Sequence, residues 1–374
     1  MRRLLSLTCA IVLADTVFYG VLAPLLPYYA EEFDLTKGQV GLLTGAIGIG
    51  IVLGSIPGAY LTSLAGVKRT AVIGLLMLSV TSLPFGFVDH YWILVTLRLG
   101  EGFASALCWI SAFTWIFAWA PEGRRGQMLG TLISAAVVGA LIGPALGGAA
   151  GITGVAAVFV AASLVSVGVT LWTLLTPGPP PDGNLTDLGS LRSLLNPQLS
   201  DGLWLIALAP ILFSALAVLS PLELSRLGLG TAAIGIVFLV GAAAEATIHP
   251  LAGRWSDRAG HGPPIATALL VSIAILTALP WAGSPYLLAL LVVLGAVFFN
   301  FALSPGMALF MNKAEKFGIN PALAFAATNF VWASGYATGS SVSGYLADVG
   351  GDTTSYLVLA LACLTTLILL RRTL

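Results

Sequence analysis

Residues Leu13–Tyr29 read LADTVFYGVLAPLLPYY, an apolar stretch broken by one carboxylate, Asp15. The surrounding apolar run begins at Leu4, so it is long enough to cross a bilayer and sets Asp15 near its middle. A charge at that depth costs at least ~2.5–3.5 kcal/mol on insertion scales, so an acid kept there is by default a functional-site hypothesis. The run is too long for the core of a cleavable signal, so it is read as a retained first transmembrane helix.

The rest of the chain fits this reading. Of 374 residues, 58% are apolar and 9% charged, well below the ~25% charge of a water-soluble domain. The net charge is zero, which argues against a nucleic-acid partner. Cys9, Cys108 and Cys363 fit neither a disulfide framework nor a metal site. No nucleophile–base arrangement, phosphate loop or cofactor motif points to an enzyme.

Twelve segments are long and apolar enough to span: 4–29, 38–62, 69–88, 91–119, 127–149, 152–176, 199–224, 231–253, 264–282, 285–311, 321–346 and 353–370. A shift of 194 residues carries Pro27 onto Pro221, Leu35 onto Leu229, Gly41 onto Gly235 and Gly66 onto Gly260. The expected fold is therefore an all-α membrane protein of twelve helices in two six-helix pseudo-repeat bundles. These bundles span 1–176 and 199–374, joined by a Pro- and Gly-rich linker over 177–198. Thirteen lysines and arginines fall on the side of both termini and the linker, against Lys37 and Arg226 on the other. By the positive-inside rule that side is cytoplasmic, in the inner membrane of the cell.

Several stretches resemble the major facilitator superfamily. Gly253-Arg-Trp-Ser-Asp257-Arg258-Ala-Gly260 is similar to its G-x-x-x-D-R-x-G loop. The first-half copy has Ser63 and Leu64 where the Asp and Arg belong, which implies a weaker cytoplasmic latch. Arg98-Leu-Gly-Glu101-Gly102 resembles the R-x-x-Q-G element, with Glu101 replacing Gln. A buried Arg98 needs an acid partner, and Asp15, at similar depth, is the natural choice; Glu101 lies nearby as a second carboxylate. Gly139-x3-Gly143-Pro144-x2-Gly147-Gly148 looks like the antiporter motif, whose small residues and proline serve packing and bending. Asp15-x8-Pro24-x2-Pro27 is similar to the first helix of vesicular amine transporters and drug:proton antiporters, where the acid meets a cationic amine.

The resemblance implies alternating-access export of small amphiphilic, cationic molecules, with protons as the coupling ion, no other cofactor, and a monomer in the lipid bilayer. Asp15 would be the shared substrate and proton site, flanked by Tyr19. Apart from the resemblance, Glu245 and His249 lie four apart on one face of the eighth helix and are expected to relay a proton inward. Asn300, Asn329 and Trp332 are expected to be cavity-lining polar and aromatic groups. The acids that amine transporters carry in helices ten and eleven are absent. Transport of another class, such as a sugar, organic anion, peptide or lipid, and a non-transporting receptor remain as alternatives.

Overall fold

The computed structural model describes residues 2–119, 125–178, 193–194, 196–319 and 321–370. It is helical almost throughout. We label the membrane-length helices in chain order: α1 Arg3–Glu32, α2 Lys37–Ala65, α3 Val67–Ser82, α4 Tyr91–Trp119, α5 Arg125–Thr153 and α6 Val155–Leu175. The second series is α7 Ser200–Arg226, α8 Thr231–Ala259, α9 Gly262–Ala278, α10 Pro285–Lys316, α11 321–350 and α12 352–370. Pro24 lies in a single 3₁₀ turn, Ala23–Leu25, within α1. The tenth helix, expected to run unbroken over 285–311, pauses at Ala302 between Pro285–Phe301 and Leu303–Lys316. Most of the expected linker, 177–198, lies outside the described residues.

The 194-residue repeat is visible in the backbone. Helices α2 (37–65) and α8 (231–259) are related by that shift residue for residue. The turns that precede them match as well. Leu35 N–H donates to Ala30 O and Leu229 N–H to Leu224 O, at 2.9 and 3.0 Å, closing equivalent Schellman caps. The left-handed residue in these caps is Asp34 (φ 49°) in one half and Gly228 (φ 94°) in the other. Each α2/α3-type joint turns through one glycine with φ near 80°, Gly66 and its equivalent Gly260. Gly154 and Gly351 make the same turn between α5 and α6 and between α11 and α12.

The chain divides into two compact units. One comprises Met1–Tyr28, Ala46–Thr186 and Thr231–Leu239; the other comprises Tyr29–Gly45, Asp187–Gly230 and Val240–Leu374. The first turns of α2 thus belong to the second unit, and the equivalent turns of α8 to the first. Glycine makes both placements feasible. In the second unit a Cβ at Gly41 would lie 2.4 Å from Ser340 O. In the first, a Cβ at Gly235 would lie 2.6 Å from Gly148 Cα. Outward faces carry large apolar side chains such as Leu53, Ile56, Trp92, Leu175 and Leu369. That is what a protein solvated by lipid tails presents.

Candidate functional site

The first unit holds the buried charges singled out from the sequence. On α4, residues 98, 101, 105 and 109 follow 3- and 4-residue spacing and so line one face. Arg98, Glu101, Ser105 and Trp109 occupy it, and all four make contacts that settle the polar chemistry of α1 or of this face.

Arg98 does not pair with Asp15, as its need for a buried acid had suggested. Its partner is Glu101, with Nη1 2.6 Å from Oε2. The side chains are 1% and 0% exposed. Three residues of helix bring the two heads together without any tertiary search, which a more distant acid cannot match. Arg98 Nη1 also donates to Phe18 O at 3.1 Å, and Nη2 to Tyr19 O at 3.2 Å. Ser82, the last residue of α3, donates its hydroxyl to Glu101 Oε1 at 2.6 Å. The cluster is an ion pair with both partners hydrogen-bonded, the condition under which buried charges are tolerated.

Asp15 is only 4% exposed and has a different environment. Trp109 Nε1 donates to its Oδ2 at 2.7 Å and Ser105 Oγ donates to the same oxygen at 3.0 Å. No described residue donates to Oδ1, and that atom is not sealed from solvent. Among the described residues no cation stands within ion-pair distance of Asp15. The carboxyl group is therefore held by two neutral donors, both on one oxygen. The Trp109 ring stacks on Phe113, one further turn along, with centroids 5.6 Å apart. Tyr19 sits half-buried one turn beyond Asp15.

The glycine motif of α5 closes tightly on α1. A Cβ at Gly139 would lie 2.7 Å from Leu13 O, at Gly143 2.8 Å from Val17 O, and at Gly147 2.3 Å from Val21 O. Each is a backbone atom that cannot move aside. Pro144 Cδ meets the space above Gly20. These residues hold α1 close against α5.

The remaining predicted residues lie in the second unit. Asn300 is buried and donates to Ala296 O in its own helix at 3.4 Å. Trp332 stacks on Tyr336 with centroids 5.5 Å apart. Glu245 and Asn329 are half-buried, and Arg258 is exposed. His249, Gly253 and Asp257 lie outside the described side chains. Ser105, Trp109 and Ser82 were not singled out from the sequence. The signal for the first two was present: extending the Arg98–Glu101 register by four residues twice reaches both.

Ionisable groups sequestered between membrane-length helices of a duplicated six-helix unit define a polytopic solute carrier. Comparison with known proteins gives the family. The Major Facilitator Superfamily profile matches residues 7–336, and the chain belongs to that family of transporters. A multi-drug resistance efflux pump PmrA homolog of Lactococcus lactis is 27% identical over 351 residues, 88% of this chain and 85% of that protein. An uncharacterized MFS-type transporter of Methanocaldococcus jannaschii is 31% identical over 129 residues. That match covers 34% of this chain and spans only 33% of the relative's length. A probable vesicular acetylcholine transporter-B of Danio rerio is 26% identical over 157 residues, 39% of this chain and 32% of that protein. Among solved structures, a bacterial homolog of the human lysosomal transporter Spinster superposes with a TM-score of 0.83 at 17% identity, covering 99% and 96% of the two chains. The nucleoside transporter NupG gives 0.78 at 15% identity, covering 100% and 99%. At these identities the structural likeness concerns the fold.

Proposed function

We propose that this transporter is a proton-coupled antiporter that exports small amphiphilic, cationic molecules. It works as a monomer in the cell membrane with both termini cytoplasmic. The observation that carries the reading is Asp15: a buried carboxylate with neutral donors on one oxygen, the other oxygen open, and no ion-pair partner among the described residues. A proton and an organic cation each neutralise that charge, so binding of one excludes the other. A proton arriving from outside releases substrate there, and its departure to the cytoplasm readies the site for the next cation.

Two sequence resemblances support the same assignment. The first-helix pattern around Asp15 is that of amine and drug antiporters, and relatives include efflux pumps and a probable vesicular acetylcholine transporter. The anion alternative needs an available Arg98. Both of its Nη atoms are already engaged by Glu101 and two carbonyls, which disfavours it.

The test is Asp15→Asn in proteoliposomes. Asparagine keeps an acceptor oxygen for Trp109 and Ser105, so the fold should survive with an unchanged melting temperature. Transport of a cationic dye driven by an imposed pH gradient should fall to the protein-free background. Full gradient-driven transport by this variant would refute the assignment. Competition of that flux by organic cations, and not by organic anions, is the companion result.

A further inference from the structure

The second unit also contains a cavity of about 300 Å³, lined by residues from the C-terminal end of α7 and the N-terminal ends of α2, α10 and α12. That volume is at the lower end for small-molecule sites. One wall is apolar, formed by Leu279, Pro280 and Leu288. The other carries Lys37, Asp352, Glu223, Arg226 and Tyr356. Lys37 comes from the first turn of α2, Asp352 and Tyr356 from α12, and Glu223 and Arg226 from the end of α7.

The charges are not equivalent. Glu223 is engaged at both oxygens by Arg226, at 2.6 and 2.8 Å. Asp352 is engaged at one only: Lys37 Nζ sits 2.5 Å from Oδ1. Its Oδ2 accepts no hydrogen bond from a described residue and keeps accessible surface. Tyr356 is 4% exposed, yet its hydroxyl also makes no hydrogen bond to a described residue and is not sealed. A buried phenol is normally hydrogen-bonded, so one that opens onto a cavity wants a ligand. The cavity thus offers a half-used carboxylate, a phenol oxygen and an apolar wall. It also contains a displaceable primary ammonium, that of Lys37.

We infer that this cavity is a second binding site, one that takes an amphiphilic amine whose ammonium replaces that of Lys37 on Asp352. The ligand's ammonium then reaches Asp352 and Tyr356, and its apolar body lies on Leu279, Pro280 and Leu288. The displaced Lys37 stands in water, where its solvation offsets the lost pair. That the exported substrate is the natural occupant rests on the function proposed above. That the cavity binds an amine does not.

The experiment separates the two. Full-length protein carrying Asp15→Asn is placed in lipid nanodiscs, so that the Asp15 site is disabled. Protonated 2-phenylethylamine is titrated and followed by saturation-transfer NMR, with 2-phenylethanol as the neutral control. Binding of the amine should persist in this background. Adding Asp352→Asn should weaken it about tenfold, the loss of one charge-assisted hydrogen bond. Adding Tyr356→Phe, which keeps the ring and its packing, should weaken it about threefold. Adding Lys37→Met should tighten it, because the competing ammonium is gone. Binding of the alcohol should be insensitive to Lys37→Met. Unchanged affinity in both Asp352→Asn and Tyr356→Phe, or weaker amine binding in Lys37→Met, overturns the site. Gradient-driven transport by Asp15→Asn would instead overturn the proposed function and leave this site standing.

Discussion

Two carboxylates, Asp15 and Glu101, face the α1–α4 contact, and their neighbours give them different work. Glu101 is bonded to Arg98 and Ser82 and is fully enclosed. Asp15 is bonded to Ser105 and Trp109 at one oxygen only. Glu101 should therefore be structural, and its removal should be felt as instability. Glu101→Leu leaves Arg98 charged and unpaired in a site 1% exposed. Breaking one side of such a pair costs about 3–5 kcal/mol. The double variant Arg98→Met/Glu101→Leu removes both charges and should recover most of the loss. Thermal unfolding in detergent, read for both, checks this: a double variant as unstable as the single would mean the pair's hydrogen bonds to α1 matter more than its charge balance. At Asp15 the order is reversed. Its neutral isostere should leave unfolding unmoved and abolish coupled transport.

At the scale of elements, the α5–α1 contact is set by three glycines at four-residue spacing. Gly147→Ala pushes a methyl group to 2.3 Å from Val21 O, a backbone atom that cannot step aside. The helices must separate, at a cost of about 1–3 kcal/mol. Gly130, on the same helix, has nothing within 4 Å of its Cβ position. Gly130→Ala should be neutral or stabilise by up to about 1 kcal/mol through helix propensity. Melting temperatures of the two variants should move in opposite directions or, at the least, only that of Gly147→Ala should fall. The equivalent caps after α1 and α7 give a second pair. Asp34 holds a left-handed conformation that Gly228 adopts without strain. Asp34→Gly should stabilise slightly, and Gly228→Ala should destabilise by about 1 kcal/mol, both read by thermal unfolding.

At the scale of the molecule, duplication explains why charge is distributed as it is. Each half has its own set of spans, joints and caps, related by 194 residues. The twelve spans and the positive-inside rule lead us to expect both termini on one face, with most lysines and arginines. Orientation is tested by single cysteines in a background lacking Cys9, Cys108 and Cys363. A cysteine at Arg258 should react with a membrane-impermeant maleimide only after the cell is opened. A cysteine at Arg226 should react in intact cells. The reverse pattern would invert the direction of transport proposed for Asp15.

Much of this protein is fixed locally and is therefore legible in one dimension. Helix existence follows from apolar length, helix joints from glycine, and repetition from matching positions, so α2 and α8 were legible, although they run on to 65 and 259 where 62 and 253 were expected. The acid Asp15 was equally plain, because a charge in an apolar run stands out from its neighbours. What only the fold decided is who touches whom. Arg98 satisfies itself with Glu101 on its own helix, and Asp15 receives Ser105 and Trp109 from α4. These pairings depend on how α1 and α4 are rotated about their axes when packed. Periodicity along one helix carries no information about the rotation of another, and the hydrogen bonds of Asp15 exist only once both are set.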